Sequence, residues 1–220
     1  MKAEPFIHRL FQVCMPIIKE SSDELNPPEV VPGGTLPAAR RSATDYVALG
    51  IATCGVGYLP LAPGTWGSAV GILLYLIFHR LSLSAYQLMS DRGFDATALY
   101  LSRTIVFVLL ISVITLAGVW AATRTERLLG RKDPGAVVVD EVAGQLLAFV
   151  FVPAGAGAWV TVTGFILFRL FDIWKPYPVR RLEALESGLG IMADDVLAGI
   201  YAAILLGLIW VAAAFARFPA

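Results

Sequence analysis

Long stretches without any charged side chain are the feature that most limits the folds open to this chain. Four segments contain none of its 17 lysines and arginines and none of its 17 aspartates and glutamates. A helix needs roughly 20 mostly apolar residues to cross the hydrocarbon core of a bilayer, and each segment meets or approaches that length. The segments are 46–79, 104–123, 142–168 and 196–216. We therefore predict an all-α fold, a polytopic membrane helix bundle.

The overall composition agrees with this prediction. Hydrophobic residues make up 57% of the chain and charged residues 15%, whereas soluble domains have about 45–50% and about 25%. The alternative is a soluble all-α protein with buried helices. The net charge is zero, so we expect no nucleic-acid partner, because nucleic-acid binding requires an excess of basic residues.

The first 44 residues differ from the rest of the chain. Apolar residues between Phe6 and Ile18 have helical spacing, and prolines and glycines then interrupt the sequence. We predict an N-terminal extension over 1–44, with a short interfacial helix followed by a disordered linker over 20–44. Glu4 and His8 interrupt any apolar core of a signal peptide, so none is expected. Residues 45–220 are predicted to form one membrane-embedded domain.

The charge-free segments predict individual helices. Spanning helices are expected at Trp66–Leu83, Ile105–Ala122 and Val196–Ala216. Tyr46–Pro60 is apolar but rich in glycine and proline, which favours a bent or re-entrant segment over a full span. Residues 84–103 contain most of the polar side chains between the first two spans and are predicted to form a polar connection.

The segment after Glu141 is divided by a turn sequence. Its apolar halves, Val142–Val152 and Ala158–Phe171, flank residues 153–157, which are rich in proline, glycine and alanine. A half of this kind is about 16–21 Å long, at 1.5 Å per residue, and so is shorter than the roughly 30 Å hydrocarbon core. We predict a short re-entrant or hairpin helical pair that returns to its starting side.

Basic residues indicate the orientation of the bundle. They are concentrated before and after the predicted hairpin, and cytoplasmic loops carry an excess of lysine and arginine. These residues are Arg124, Arg127, Arg131, Lys132, Lys175, Arg180 and Arg181. The loops on both sides of the hairpin, together with Pro60–Ser68, are therefore predicted to lie on the cytoplasmic face.

Acidic residues occur where the apolar helices begin or end. Asp140 and Glu141 precede the hairpin, Asp172 follows it, and Asp194 and Asp195 precede the last span. A carboxylate at membrane depth costs roughly 2.5–3.5 kcal/mol or more, so a compensating cation is expected. Carboxylate oxygens suit Mg²⁺, Mn²⁺ or Ca²⁺. The alternative is helix capping, which explains Asp140 or Asp194 singly but not a carboxylate at a helix C-terminus.

Two further motifs suggest anion binding. Arg169, Asp172 and Lys175 are spaced three apart and share one face of a continuing helix. Lys175 precedes a proline and is expected to be extended. The two cations suit a phosphate; the alternatives are contact with lipid headgroups and an Arg169–Asp172 pair.

The second motif is the polar, glycine-rich turn Pro63–Ser68, which opens a predicted helix. Its backbone N–H groups and hydroxyls would suit an anion. A simple capping turn is the alternative. The residues predicted to bind the substrate here are Gly64, Thr65 and Ser68.

Together these motifs resemble a known family. The runs 63–68, 140–144, 168–178 and 188–199 are similar to the motifs of phosphatidylglycerophosphatase A and occur in that family's order. The resemblance covers about 45–205. It implies Mg²⁺-dependent removal of the terminal phosphate of phosphatidylglycerol phosphate, a phospholipid substrate, by a multi-pass protein of the bacterial inner membrane whose active site faces the cytoplasm.

For these residues we hypothesise metal-assisted hydrolysis of a phosphate ester. The predicted metal ligands are Asp140, Glu141, Asp172, Asp194 and Asp195. The predicted catalytic residues are Asp140, Glu141, Asp172, Lys175 and Asp195. Arg169 and Lys175 are predicted to bind the phosphate together with the glycine-rich turn. Three alternatives stay open: a carboxylate nucleophile, a small ion transporter or channel with a carboxylate cation site, and a scaffold with capping carboxylates.

Other phosphatase chemistries do not fit the sequence. A cysteine phosphatase needs an arginine six residues after its nucleophile, but Glu20 follows Cys14 at that distance and Pro60 follows Cys54. Both histidines lie outside the acidic motifs. There is no Asp-x-Asp-x-Thr/Val run of the haloacid dehalogenase type.

Overall fold

A computed structural model describes residues 41–153, 156–182 and 185–217. Within these ranges the regular structure is entirely helical, which confirms the all-α prediction. The predicted interfacial helix and nearly all of the predicted linker lie outside the described residues. The helices are α1 (Ala43–Thr53), α2 (Pro63–Ser90), α3 (Ala96–Leu129), α4 (Val139–Leu147), α5 (Ala158–Trp174), α6 (Val179–Leu182) and α7 (Ser187–Arg217).

Three of these helices are long and apolar enough to cross a membrane: α2, α3 and most of α7. They are the helices at which the sequence predicts spans. Many of their apolar side chains point outward; Leu116 is 71% exposed and Leu208 is 62% exposed. A helix that is apolar on its outer face as well as its inner face is typical of a bundle surrounded by lipid. The membrane helix bundle is thus confirmed.

The long helices extend further than their apolar cores. The predicted connection over 84–103 is wrong, because α2 continues to Ser90 and α3 begins at Ala96, which leaves a short link of residues 91–95. A polar side chain does not end a helix by being polar. A helix ends where a residue disrupts the hydrogen bonds of its backbone. The Asp95 carboxylate accepts a hydrogen bond from the Ala98 amide at 2.9 Å and caps α3.

The last helix also begins earlier than predicted. Because α7 begins at Ser187, Asp194 and Asp195 lie about two turns inside it and do not open it. The segment over 187–195 is helical although it carries two carboxylates, and its glycines lie against neighbouring segments: Gly188 against Val119 and Thr123 of α3, and Gly190 against Leu182 of α6. The amide of Gly188, for example, donates to the Thr123 hydroxyl at 3.0 Å.

The helical hairpin is formed by α4 and α5. These helices have 9 and 17 residues, so they are about 13 and 25 Å long and shorter than the hydrocarbon core. Lys175, directly after α5, contacts Asp194, and Glu141 in the first turn of α4 interacts with the adjacent Asp195. The hairpin therefore begins and ends on one side, as predicted, although α4 ends five residues before the predicted Val152.

Helix α1 lies beside this end of the bundle. It has 11 residues and is followed by turns, so the bent apolar segment is confirmed. Arg124 on α3 donates to the Asp45 carboxylate at 2.6 Å. The amide of Val138, just before α4, donates to the carbonyl of Ala52 at 2.8 Å. These two bonds attach α1 to both of its neighbours.

Glycines allow α4 to lie against two long helices. A methyl group on Gly67 would lie 2.8 Å from the carbonyl oxygen of Val138, and one on Gly71 would lie 2.9 Å from Cβ of Gln145. On the other side, a methyl group on Gly199 would lie 2.9 Å from Cα of Gly144. Contacts between small residues of this kind allow helix backbones to approach closely in membranes. They hold α4 between α2 and α7.

We expect Gly199→Ala to separate α4 from α7 and to lower the unfolding temperature, because its added methyl group meets the carbonyl oxygen of Gly144. Overpacking typically costs about 1–3 kcal/mol. Gly207→Ala on the same helix is the matched control, since the nearest atom to its methyl group, Cβ of Phe151, is 3.9 Å away. Thermal unfolding in detergent compares the two variants. Equal unfolding temperatures would contradict the close approach.

Candidate active site

Carboxylates from two helices meet at the end of the bundle where the hairpin begins. Asp140 and Glu141 lie in the first turn of α4, and Asp195 comes from α7. One oxygen from each lies within 4.8 Å of the others, and the three residues are 6%, 5% and 3% exposed. Like charges so close together and so far from water are stable only with a compensating cation or a proton. The group is a candidate metal site.

Helix capping does not explain most of the acidic residues. Asp140 and Glu141 do lie at a helix N-terminus, where the dipole favours negative charge. Asp194 and Asp195 lie in the interior of α7, and Asp172 lies in the last turn of α5, where a carboxylate opposes the dipole. The positions of the last three therefore require a partner other than the helix.

Two basic side chains border the acidic group. Arg169 donates to Asp172 at 2.6 Å, and Lys175 donates to Asp194 at 2.8 Å. The Asp194 carboxylate also accepts a bond from the amide of Asp195 at 3.0 Å. Asp172 lies close enough to Asp195 to interact with it electrostatically. The structure thus brings all five predicted carboxylates and both predicted cations to one place.

Lys175 adopts a left-handed backbone conformation, with φ of 47°. The predicted extended conformation is wrong. The proline that follows disfavours the right-handed helical region for Lys175, and the backbone adopts the left-handed region instead. The amide of Lys175 donates to the carbonyl of Phe171 at 2.8 Å. A lysine in this region is strained. The turn ends α5, and the ammonium group reaches Asp194 on α7.

The start of α2 faces the same group. A methyl group on Gly64 would meet Oε1 of Glu141 and would lie 2.8 Å from Nη1 of Arg169. Only a glycine allows the α2 backbone to lie this close to both charged groups. Thr65 is exposed, whereas Ser68 is fully buried and donates to the carbonyl of Gly64 at 2.9 Å. Of the predicted anion-binding turn, the Gly64 backbone therefore lies nearest the acidic group.

Cys54 lies near Glu141 but is not suited to nucleophilic catalysis. Burial raises the pKa of its thiol to about 11, and the negative charge of Glu141 contributes in the same direction. The thiol also donates to the carbonyl of Ile51 at 3.3 Å. Since the thiolate is the reactive form of cysteine, the structure agrees with the exclusion of a cysteine phosphatase.

One residue near the site is absent from the sequence predictions. Gln145 is fully buried one turn along α4 from Glu141. Among the described residues, neither atom of its amide has a hydrogen-bond partner, and the same holds for Oε2 of Glu141. The signal was an amide inside an apolar run, four residues after a carboxylate and thus on the same helix face. Buried amides without partners are rare, so Gln145 is a candidate member of the site.

Comparison with known proteins agrees with the site's chemistry. The profile of the family described as phosphatidylglycerophosphatase A matches residues 51–210. A Haemophilus influenzae protein named phosphatidylglycerophosphatase A is 36% identical over 69% of this chain and 81% of its own. The Escherichia coli protein of that name is 30% identical over 68% of this chain and 74% of its own.

A third relative carries a different substrate in its name. It is a Bacteroides thetaiotaomicron protein, provisionally named a phosphatidylinositol-3-phosphatase, and is 37% identical over 69% of this chain and 86% of its own. No solved structure shows a significant match. The matched region contains all the acidic, basic and glycine motifs described above. The chain belongs to the phosphatidylglycerophosphatase A family, whose members are phosphoric monoester hydrolases.

Proposed function

We propose that this protein is a Mg²⁺-dependent lipid phosphatase that hydrolyses phosphatidylglycerol phosphate to phosphatidylglycerol and phosphate. The observation that carries the proposal is the group of three buried carboxylates within 4.8 Å of one another, bordered by Arg169 and Lys175. In metal-assisted phosphate ester hydrolysis, a cation binds phosphoryl oxygens and basic groups orient the phosphate. Side chains suited to both tasks lie together here at the end of an apolar bundle.

The donor atoms at the site suit Mg²⁺. Asp140, Glu141 and Asp195 offer oxygen ligands, which hard divalent cations prefer. No histidine of the described chain belongs to this group, and Cys54 keeps its proton. We assign these three carboxylates as the residues that would hold Mg²⁺. When bound there, the ion supplies positive charge that polarises the phosphoryl oxygens.

The basic residues would bind the substrate phosphate. Arg169 presents a planar guanidinium that suits two phosphate oxygens, and Lys175 presents a compact charge. In the structure Asp172 and Asp194 hold these groups in place beside the carboxylates. We propose that both cations turn towards the phosphate when the substrate binds, and that the Gly64 backbone lies against it. The lack of a side chain at Gly64 leaves room there.

The cytoplasmic face of the bacterial inner membrane is the proposed location of the site. The end of α3 carries Arg124 and Arg127, and α6 carries Arg180 and Arg181; both lie at the end of the bundle where the carboxylates meet. The opposite end carries four basic residues, Arg80, Arg92, Arg103 and Arg217, against the seven that flank the hairpin. This distribution follows the positive-inside rule.

The metal requirement is tested with purified protein in detergent, given phosphatidylglycerol phosphate with Mg²⁺ or with EDTA. We expect phosphate release only with Mg²⁺. Asp140→Asn and Asp195→Asn should each lower kcat by at least about 10²–10³-fold, because each removes a charge that holds the cation. Asp91→Asn, an exposed carboxylate after α2, is the matched control and should keep full activity.

Other results in this assay would point to other functions. Full activity of Asp140→Asn would remove that residue from the site. Binding of Mg²⁺ by folded protein without any phosphate release would contradict the phosphatase proposal and favour the cation site of a transporter or channel. Release from phosphatidylinositol 3-phosphate at a higher kcat/KM would keep the chemistry but change the substrate.

The phosphate-binding role is tested at Arg169. Arg169→Lys keeps the charge but loses the planar pair of donors, so we expect kcat/KM to fall by at least about tenfold. Arg92→Lys, in the link at the other end of the bundle, is the control and should leave kcat/KM unchanged. Steady-state kinetics against substrate concentration measures both. An unchanged kcat/KM in Arg169→Lys would contradict direct contact with the phosphate.

Gln145 gives a separate prediction. We expect Gln145→Met to raise the Mg²⁺ concentration needed for half-maximal activity about 10–100-fold, as removal of a residue that orients metal ligands does. Stability should stay equal or rise, since an amide without a partner is removed from the interior. Activity against Mg²⁺ concentration and thermal unfolding are the two measurements. A loss of stability with an unchanged Mg²⁺ requirement would show that the amide only supports packing.

A further inference from the structure

A second charged group lies at the opposite end of the bundle. Arg103 projects from the second turn of α3 towards α2. Its Nε donates to the Ser82 hydroxyl at 3.3 Å, and its Nη1 donates to the carbonyl of Val152 at 3.1 Å. Its guanidinium lies 5.7 Å from the centre of the Phe78 ring. These contacts fix the position of the guanidinium at the turn of the hairpin.

None of these contacts neutralises the charge of Arg103. All three partners are uncharged, and no ion pair joins Arg103 to a carboxylate of the described residues. Within the same residues its buried Nη2 has no hydrogen-bond partner. His79 interacts electrostatically with both Arg103 and Arg80, so the ionisable side chains of this region include further basic groups. Arg103 is half-buried. A cation without a counter-charge at this depth is costly in a membrane, and an anion would reduce that cost.

A groove beside Arg103 shows which kind of anion fits. It has a volume of about 340 Å³ and is lined mainly by apolar side chains of α2 and α3, including Leu81, Ala85, Tyr86 and Val106. Leu81 and Val106 are 66% and 54% exposed, so the groove opens outward. A small soluble anion would gain nothing from apolar walls. An amphiphile would use both parts, with its anionic group on Arg103 and a hydrocarbon chain on the side of Phe78 and Val106, which lie one turn nearer the middle of the bundle.

The groove lies about one hydrocarbon thickness from the acidic site. At 1.5 Å per residue, Ser82 lies about 27 Å along α2 from Gly64, and the hydrocarbon core is about 30 Å thick. If the carboxylates lie at one headgroup boundary, Arg103 therefore lies at the other. Tyr86 in the groove wall is a residue type enriched at such boundaries. The ligand is then a lipid of the leaflet opposite the acidic site.

We propose that the groove between α2 and α3 binds an anionic phospholipid of that leaflet, with the lipid phosphate on Arg103. The site is separate from the carboxylate group and does not rest on the proposed catalytic function. The bound phosphate would lie against the side of the Arg103 guanidinium that lines the groove. One acyl chain would lie on the side of Phe78 and Val106.

The test uses the full chain in neutral detergent with EDTA, titrated with phosphatidylglycerol or with phosphatidylcholine. Native mass spectrometry counts the bound lipids and gives Kd. We expect phosphatidylglycerol to bind the wild type at least about tenfold more tightly than phosphatidylcholine. Arg103→Gln should remove the part of that preference that comes from the groove. Ala85→Trp should also remove it, because the indole fills the groove while Arg103 stays intact. Arg92→Gln, an exposed arginine outside the groove, should keep it.

Two features separate this site from others. The acidic site is expected to accept phospholipid as well, so the quantity compared is the binding lost in Arg103→Gln and Ala85→Trp, measured again in an Asp140→Asn background. In the wild type, inorganic phosphate at millimolar concentration should not displace the lipid bound in the groove, which is the binding that those two variants lose. Size-exclusion chromatography and circular dichroism check that each variant is folded.

Three results would overturn the proposal. One is equal affinity of the wild type for the two lipids. Another is an unchanged preference for phosphatidylglycerol in Ala85→Trp, which leaves Arg103 and its contacts in place. The third is complete competition by inorganic phosphate, which would make the groove a site for a free anion.

Discussion

The close approach of α4 and α7 at Gly144 and Gly199 is the contact on which the acidic site depends. It brings the first turn of α4 beside Asp195, and the contacts of Gly67 and Gly71 with α4 position α2 on the other side. In water, apolar side chains associate because they are removed from the solvent. Lipid tails are as apolar as these side chains, so this driving force is absent in a membrane. Tight backbone packing therefore supplies what hydrophobic burial supplies in a soluble protein. The carboxylates come together because three helices contain glycine at the same depth.

This packing forces like charges into a region that water hardly reaches. The five predicted carboxylates outnumber the two basic side chains beside them, Arg169 and Lys175, so a cation or a proton is needed to balance their charge. The fold holds this arrangement at a cost in stability that a divalent cation would reduce. In the proposed function, the same carboxylates would favour a hard divalent cation, because such ions prefer oxygen ligands. In the proposed reaction, that cation and the two basic groups contact the same phosphate.

The sequence predicted which charged residues lie close together more accurately than it predicted the ends of the helices. The charge-free stretches located the spans, and the length of the halves after Glu141 predicted the hairpin, because both follow from bilayer thickness. Helix ends at Ser90, Ala96 and Ser187 depend on backbone propensity and packing outside the apolar cores, which hydropathy does not report. The proposed roles of Gln145 and Arg103 were not predicted for a similar reason. Each proposed role depends on polar side-chain atoms that find no hydrogen-bond partner on the neighbouring helices. Such a lack of partners is visible only in the packed structure.

The lengths of the spanning helices have a consequence for the membrane itself. With 28 residues, α2 is about 42 Å long, clearly more than the roughly 30 Å hydrocarbon core. Such an excess is accommodated by tilt, by local thickening of the bilayer or by an end that projects into the headgroups. The choice among these sets the height of Gly64, and with it the carboxylates, relative to the lipid phosphates. Bilayer thickness thus enters the geometry of the site as directly as any side chain does.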